Sequence, residues 1–208
     1  MRVIGLTGSI GMGKSTAAAA LRRFGVPVHD ADAEVHRLLR RDRELIAAIE
    51  AAFPGVTGPD GVDRPALGAR VFGDPAALRR LEALIHPRVR RSENAFLGRM
   101  RAARRSIAVL DIPLLFETCG ETRCDAAIVV AAPRFLQEQR VLARRGMNRE
   151  RLTAIRQRQL SDEEKLRRAD VIIPTGLDRR IALRILKQAL AVLKASAPSH
   201  RGLRRMRR

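Results

Sequence analysis

The chain has 208 residues, 46% of them hydrophobic, which is enough to bury one core with inserted subdomains. No apolar run approaches the ~18 residues of a membrane-spanning helix, and the segment before Gly8 is too short for a secretory signal, so we expect a cytoplasmic protein. The net charge of +19 favours anionic partners such as nucleotides, phosphates or nucleic acid. Cys119 and Cys124 lack the second pair of ligands that a site of spaced cysteines needs, so we expect two reduced thiols.

Short apolar runs of strand length alternate with helical segments along the chain. The predicted strands are Arg2–Thr7, Val26–His29, Ile107–Leu110, Ala127–Ala131 and Val171–Ile173. Helices are predicted at Ser15–Phe24, which Gly25 ends, and at Arg179–Leu193, whose apolar residues recur at helical spacing. This alternation predicts an α/β fold with a five-stranded parallel sheet between two helical layers.

Two segments interrupt the alternation. Ala33–Arg105 is patterned for helices, has no convincing strand and contains a Pro/Gly-rich loop at Pro54–Pro65, so we expect a helical insertion that holds a second substrate. Within it, His86-Pro87 is expected to break a long helix into two. The second segment, Gln137–Arg168, is rich in arginine and is predicted to form a lid.

The predicted organisation therefore has four parts. They are a core (1–32, 106–136 and 169–195), the insertion (33–105), the lid (137–168) and a disordered basic tail (196–208).

A phosphate-binding motif follows the first predicted strand. The segment Gly8–Ser15 reads GSIGMGKS and matches G-x-x-x-x-G-K-[ST] in full, and a helix follows without a gap. Glycines allow the backbone N–H groups to converge on phosphate oxygens, Lys14 reaches the β- and γ-phosphates, and the Ser15 hydroxyl is placed to hold Mg²⁺. The residues predicted to bind the ATP phosphates are Gly8, Gly11, Met12, Gly13, Lys14, Ser15 and Thr16.

The other motifs favour a kinase over a regulatory GTPase. A GTPase would carry D-x-x-G and N-K-x-D, but neither Asn94 nor Asn148 is followed by Lys, and no Asp precedes a Gly by three residues. A chain of this size with a helical insertion and an arginine-rich segment is more typical of a small-molecule kinase. The motifs thus predict a three-layer P-loop NTPase fold with a helical substrate-binding insertion and a lid.

Two carboxylates, Asp30 and Asp32, follow the second predicted strand, where parallel sheets bind ligands. Either can orient an acceptor hydroxyl and accept its proton, or cap the next helix; we favour Asp32 as the base. Asp111 ends the third predicted strand and is a candidate to hold Mg²⁺ through water, or to begin a turn before Pro113.

Further candidates are basic. Arg140 and Arg144 are four residues apart on one predicted helix face, where they can neutralise charge on the transferring phosphoryl group or form a solvated surface. His86 can contact the acceptor substrate or occupy the expected bend.

These residues together resemble the dephospho-CoA kinase family. The matching segments are GLTGSIGMGKST at 5–16, DAD at 30–32, LIHP at 84–87, DIPLLFE at 111–117, Q-x-x-R at 137–140 and ADVII at 169–173. The first is shared with many P-loop kinases, whereas the DAD, HP and DIPLLFE segments together are far more specific. One departure is Pro174-Thr175-Gly176, where the family often has Asn near the adenine.

The resemblance implies transfer of the ATP γ-phosphate to the 3′-hydroxyl of dephospho-CoA, with Asp32 as the base, Asp30 and His86 near the acceptor, and ATP and Mg²⁺ as cofactors. We expect a monomer or a small homo-oligomer with no specific nucleic-acid partner. One rival is another P-loop kinase, acting on a nucleoside, a nucleotide or a small alcohol. The other is a basic nucleic-acid-binding ATPase, although the chain has no Trp or Tyr on which bases could stack.

Overall fold

The computed structural model describes residues 1–176 and 178–195, so the predicted basic tail lies outside the described residues. The chain divides into two compact units. We call the first, Met1–His29 with the described residues from Met100 onward, the nucleotide unit, and the second, Asp30–Arg99, the helical unit. By this division the predicted lid segment, 137–168, belongs to the first unit. Within the described ranges, no helix is both long and apolar enough to cross a membrane.

The strands in chain order are β1 (Arg2–Thr7), β2 (Val28–Asp30), β3 (Thr57–Gly58), β4 (Gly61–Val62), β5 (Ile107–Asp111), β6 (Ala126–Ala131) and β7 (Val171–Pro174). The helices are α1 (Lys14–Arg23), α2 (Ala31–Arg41), α3 (Arg43–Ala52), α4 (Arg64–Val71), α5 (Pro75–Ala102), α6 (Arg134–Leu142), α7 (Arg149–Gln157), α8 (Asp162–Arg168) and α9 (Arg179–Ala195).

The nucleotide unit is built on a five-stranded sheet with the order β2-β5-β1-β6-β7. The central strand β1 runs parallel to both β5 and β6, with Ile4 opposite Val109 on one side and Ala126 on the other. All six residues of β1 are buried, as expected for a strand whose two faces are both covered. The predicted α/β fold with a five-stranded parallel sheet is confirmed.

Both faces of the sheet are packed. Ile4 and Leu6, which point to one face because strand side chains alternate, belong to the same core as Leu21 of α1 and Leu186 of α9. On the opposite face Gly5 leaves room for the segment after β5, since a Cβ at Gly5 would lie 2.7 Å from a Leu115 methyl. The sheet is therefore the middle of three layers.

The helical unit has a core of its own. Aspartates begin three of its helices, because Asp30, Asp42 and Asp63 accept hydrogen bonds from backbone N–H groups in the first turns of α2, α3 and α4. The buried residues that form this core are Leu38, Leu39, Leu45, Ile49, Phe53, Val56, Val62, Leu67 and Leu81.

A small hairpin corrects one prediction for this unit. The predicted loop Pro54–Pro65 contains the antiparallel pair β3–β4, so the expectation of no strand here was wrong. The Glu50 carboxylate organises the hairpin by accepting hydrogen bonds from the Gly55 N–H at 2.7 Å and the Thr57 hydroxyl at 2.7 Å. Such a contact between a helix and a loop cannot be recognised from apolar periodicity.

The expected break at His86-Pro87 was also wrong, because α5 continues through Pro87. A proline within a helix removes one hydrogen bond and costs about 3 kcal/mol. The carbonyl that loses its donor is that of Ala83, and next to it the Arg88 side chain donates to the Leu84 carbonyl at 3.3 Å. Leu84, Ile85 and Val89 pack on the same core on both sides of Pro87, and this packing holds the two halves in one helix.

Candidate nucleotide-binding and phosphoryl-transfer site

The P-loop joins the central strand β1 to α1. A hydrogen bond of 3.1 Å from the Met12 N–H to the Ser9 carbonyl closes a turn within it. Gly11 and Gly13 have φ of 77° and 89°, in the left-handed region that favours glycine. Gly13 precedes α1 and, as a glycine, has no side chain with which to cap it, so the N–H groups of the first turn can bind an anion.

The loop also packs closely on β6. A Cβ at Gly8 would lie 2.3 Å from a Val130 methyl, so only glycine fits there without a shift. The Met12 side chain is 2% exposed, and its sulfur accepts a hydrogen bond from the Ala132 N–H at 3.0 Å. Met12 can therefore serve the phosphates only through its backbone.

Lys14 and Asp111 form an ion pair at the end of the sheet. The Lys14 Nζ lies 2.8 Å from Asp111 Oδ1, and the Asp111 side chain is only 3% exposed. Asp111 is the last residue of β5, which is the neighbour of β1. Ser15 and Thr16 are exposed in the first turn of α1. A lysine, a hydroxyl and a carboxylate thus occupy the places where the sequence predicts phosphate and Mg²⁺ binding.

Arg140 of α6 joins the P-loop to the segment after β7. Its guanidinium donates to the Thr175 carbonyl at 2.8 Å and to the Gly11 carbonyl at 3.4 Å. The Thr175 hydroxyl in turn donates to the Met12 carbonyl at 2.6 Å. The departure from the family pattern at Thr175 therefore provides a second contact to the P-loop.

Arg144 does not share a helix face with Arg140, so that part of the prediction was wrong. Helix α6 ends at Leu142, and Arg144 lies in the exposed turn that follows. The chain turns back through Gly146, with φ of 77°, to Asn148, which caps α7. The helix therefore ends two residues before Arg144, earlier than the spacing suggested.

A charged cluster that sequence reasoning missed lies against the P-loop. Lys165 of α8, 1% exposed, contacts Glu117 and the Ser9 hydroxyl, and Ser9 also contacts Asp162. Two signals were available in the sequence. Glu117 ends the specific DIPLLFE segment, and Lys165 is one of few lysines in a chain whose basic residues are nearly all arginine.

The predicted acceptor residues belong to the helical unit. Asp30 caps α2 by accepting a hydrogen bond from the Ala33 N–H at 3.0 Å. Asp32 lies in the first turn of α2 with an exposed side chain that makes no hydrogen bond to the part of the chain that the structure describes. Of the two carboxylates, Asp30 is thus engaged as a cap, and Asp32 is available for another role.

His86 lines a groove on α5. The groove is lined by Ala83, His86, Pro87, Arg90, Arg91 and Asn94. Two arginines and a histidine are among these lining residues, so the groove suits an anionic ligand.

The arrangement defines a class of protein. A parallel sheet whose central strand runs into a glycine-rich loop and then a helix, with a carboxylate ending the next strand, is the nucleotide-binding arrangement of P-loop kinases. Within this class the chain belongs to the dephospho-CoA kinase family, because the sequence model of that family, "Dephospho-CoA kinase", matches residues 2–177. The chain is an ATP-dependent kinase, and the resemblance drawn from its motifs is confirmed.

Relatives that align with nearly the whole chain support this family assignment. A Dephospho-CoA kinase from Paramagnetospirillum magneticum is 61% identical over 199 residues, which is 96% of this chain and 94% of the relative. The structure of TT1252 from Thermus thermophilus has a TM-score of 0.82 at 38% identity and covers 94% of this chain and 98% of its own. A Dephospho-CoA kinase from Campylobacter jejuni has a TM-score of 0.69 at 26% identity, covering 92% and 96%.

Proposed function

We propose that the chain transfers the γ-phosphate of ATP to the 3′-hydroxyl of dephospho-CoA, the last step of coenzyme A biosynthesis. The observation that carries the proposal is the P-loop with Lys14 held 2.8 Å from Asp111. The relatives from Paramagnetospirillum magneticum and Campylobacter jejuni, both dephospho-CoA kinases by name, support the choice of acceptor. The acceptors of other P-loop kinases are the controls in the experiment below.

The P-loop binds the triphosphate through its backbone and through Lys14. N–H groups at the start of α1 and the positive end of its dipole face the phosphate oxygens. Lys14 exchanges its contact with Asp111 for the β- and γ-phosphates and neutralises charge that builds up during transfer. Arg140, already 2.8 Å from the Thr175 carbonyl, steadies the nucleotide side of the loop. Arg144 is exposed and free to approach the transferring group.

Ser15 and Asp111 fit a magnesium ion. Mg²⁺ prefers hard oxygen ligands and is usually held by one or two protein groups together with substrate phosphates and waters. The exposed Ser15 hydroxyl follows Lys14 directly, and the Asp111 carboxylate is in contact with Lys14. When bound, Mg²⁺ would neutralise charge on the β- and γ-phosphates.

Asp32 is the proposed base. Because β2 belongs to the parallel sheet, its carboxyl end faces the edge where such sheets bind ligands, and Asp32 follows it closely. Asp30 already caps α2, which leaves the Asp32 carboxylate to orient the 3′-hydroxyl and to accept its proton late in the transfer.

The α5 groove is the proposed site for the anionic part of the acceptor. Dephospho-CoA carries a pyrophosphate, and Arg90 and Arg91 can bind phosphate oxygens through paired N–H groups. His86 lies in the same groove and can donate a further hydrogen bond.

The deciding experiment offers Mg-ATP with dephospho-CoA, adenosine, AMP or shikimate to the purified chain and follows ADP release. The expected result is a kcat/KM for dephospho-CoA at least about a hundredfold above that for the other acceptors. Equal use of another acceptor would reject the assignment. Retention on RNA in high salt would favour the nucleic-acid rival, whereas binding that disappears with salt reflects counterion release alone.

We also place the enzyme in the cytoplasm, where its substrate ATP is plentiful, as a monomer or a small homo-oligomer without a specific nucleic-acid partner. Cell fractionation tests the location, and light scattering of the purified chain tests the assembly state. Recovery in the membrane fraction would contradict the first statement, and a large assembly would contradict the second.

A further inference from the structure

A charged cluster around the buried Lys165, beside the P-loop, has no part in the transfer proposed above. We call its four residues, Ser9, Glu117, Asp162 and Lys165, the Lys165 cluster. Lys165 Nζ lies 3.0 Å from Glu117 Oε1 and donates to Ser9 Oγ at 3.1 Å. The Ser9 hydroxyl donates to Asp162 Oδ1 at 2.6 Å. The cluster thus connects the P-loop to α8 and to the segment after β5.

The chemistry of these groups determines the orientation of Ser9. An ammonium group can only donate hydrogen bonds, so the Ser9 oxygen must accept from Lys165. The single hydroxyl proton is then directed to Asp162, which as a carboxylate accepts it. The Ser9 hydroxyl therefore has one defined donor partner, Lys165, and one defined acceptor partner, Asp162. These two hydrogen bonds hold its side chain in one orientation.

Lys165 depends on this arrangement as much as Ser9 does. A buried ammonium is costly unless it is paired and hydrogen-bonded. Glu117 supplies the opposite charge, and its Oε1 also accepts the Leu160 N–H at 2.8 Å. Its Oε2 is buried and accepts no hydrogen bond from the described part of the chain. Lys165 and Leu160 thus make the hydrogen bonds that hold this carboxylate.

A second contact joins the same segment to the next P-loop residue. The Ile10 N–H donates to Gln159 Oε1 at 3.4 Å. Residues 159–165 therefore hold Ser9 through its side chain and Ile10 through its backbone, just before the left-handed glycines at 11 and 13. Because glycines leave a loop conformationally free, external contacts of this kind lower the entropy cost of ordering it around a ligand.

We propose that Lys165 and Glu117 are positioning residues which, acting through Ser9, hold the first turn of the P-loop in the shape that binds the ATP triphosphate. The inference rests on ATP binding at this loop and does not depend on which acceptor is phosphorylated. A buried ion pair that only anchors α8 would change the stability of the fold, but not the ATP affinity of folded molecules.

The first test is Lys165→Met, which keeps the length of the side chain and removes its charge. The control is Arg167→Met, which removes a cation from an exposed side chain on the same helix. Binding of a fluorescent ATP analogue with Mg²⁺ is titrated at equilibrium, with the folded fraction determined from unfolding curves. Loss of a charge-assisted hydrogen bond that holds the loop should weaken this binding about tenfold. We expect the KM for dephospho-CoA to stay unchanged, and the control to bind the analogue as the parent does.

Ser9→Ala and the Ser9→Ala/Lys165→Met double variant test whether Lys165 acts through Ser9. If it does, Ser9→Ala alone weakens binding of the analogue. The double variant then binds the analogue as tightly as whichever single variant has the lower affinity. Additive losses would overturn the proposal. So would a lower melting temperature with unchanged affinity per folded molecule.

If Lys165→Met fails to fold, Glu117→Gln and Ser9→Ala still decide, because unchanged ATP binding in both would refute the role. A parent enzyme that binds ATP but does not phosphorylate dephospho-CoA would contradict the proposed acceptor and leave this test intact.

Discussion

The two units of the molecule place their candidate functional residues differently. In the nucleotide unit two of them are already bonded, since the buried Asp111 is paired with Lys14 and the half-buried Arg140 donates to two backbone carbonyls. In the helical unit Asp32 and His86 are exposed. We infer that contacts within the chain already orient Asp111 and Arg140, whereas the exposed side chains of Asp32 and His86 are oriented by the substrate.

The largest effect is expected for Lys14→Ala, which removes the cation from the preformed site. Loss of a cation that contacts the transferring phosphate should lower kcat by about a thousandfold or more. Lys187→Ala, which truncates an exposed lysine in α9 of the same unit, is the matched control and should keep the parent rate. Steady-state ADP release and circular dichroism are measured on both. Near-parent turnover by Lys14→Ala would remove Lys14 from the mechanism.

Asp32→Asn tests the acceptor side and should have the next largest effect. Removal of a general base lowers turnover by about a hundredfold to ten-thousandfold, while the KM for ATP should hardly change because Asp32 is not part of the P-loop. Asp60→Asn, an equivalent change at an exposed residue between β3 and β4, provides the control. If Asp32→Asn turns over normally, Asp32 is not the base and the exposed carboxylate needs another explanation.

His86→Ala tests whether the helical unit binds the acceptor substrate. Loss of a hydrogen bond to the acceptor phosphates should raise the KM for dephospho-CoA by about tenfold and leave the KM for ATP unchanged. The control is His36→Ala, which removes an exposed histidine from α2 of the same unit. Initial rates with each substrate varied separately give both constants. An unchanged KM for dephospho-CoA would show that His86 does not contact the bound acceptor.

The smallest effect concerns the stability of the helical unit at low pH. The Gly55 N–H, together with the Thr57 hydroxyl and the Val56 N–H, holds the pKa of the Glu50 carboxyl below its ordinary value. A carboxyl whose pKa is lowered in the folded state contributes stability above its unfolded pKa, and this contribution is lost as the pH falls through the lowered value. Glu50→Gln should therefore melt below the parent at neutral pH, and the difference should shrink below about pH 4.

Melting curves of the parent, Glu50→Gln and the control Glu82→Gln, recorded from about pH 7 down to about pH 3, test this linkage. A difference between the parent and Glu50→Gln that stays constant over this range would show that the Glu50 charge does not contribute. A loss of the same size in Glu82→Gln would show a general response to removal of a negative charge.

Much of the nucleotide unit was predictable because its signals are local. The strand Arg2–Thr7 was predicted with the observed bounds, and the other strands of the sheet were displaced by no more than a few residues. The P-loop was recognisable because only glycine tolerates the backbone conformations at positions 11 and 13 and the approach of Val130 at position 8. Such backbone constraints can be recognised directly in the sequence, because they allow only one residue type at each position.

The errors came from contacts that local patterns do not contain. Pro87 was expected to end a helix, but packing on both sides of it holds α5 together. The hairpin β3–β4 depends on the carboxylate of Glu50, and the shared helix face of Arg140 and Arg144 was lost because α6 ends at Leu142. In each case a tertiary contact or a single turn outweighed helix periodicity.

The sequence by itself determined the order of strands and helices, the phosphate-binding loop and the family, because these depend on residue periodicity and on backbone constraints that neighbouring residues set. Only the tertiary structure decided which side chains support that loop. Lys165 and Ser9 are separated by 156 positions, and nothing in the residues around either one indicates that they meet. Their contact exists because the sheet and α8 bring the two segments together, and a buried ammonium must then find acceptors within its reach.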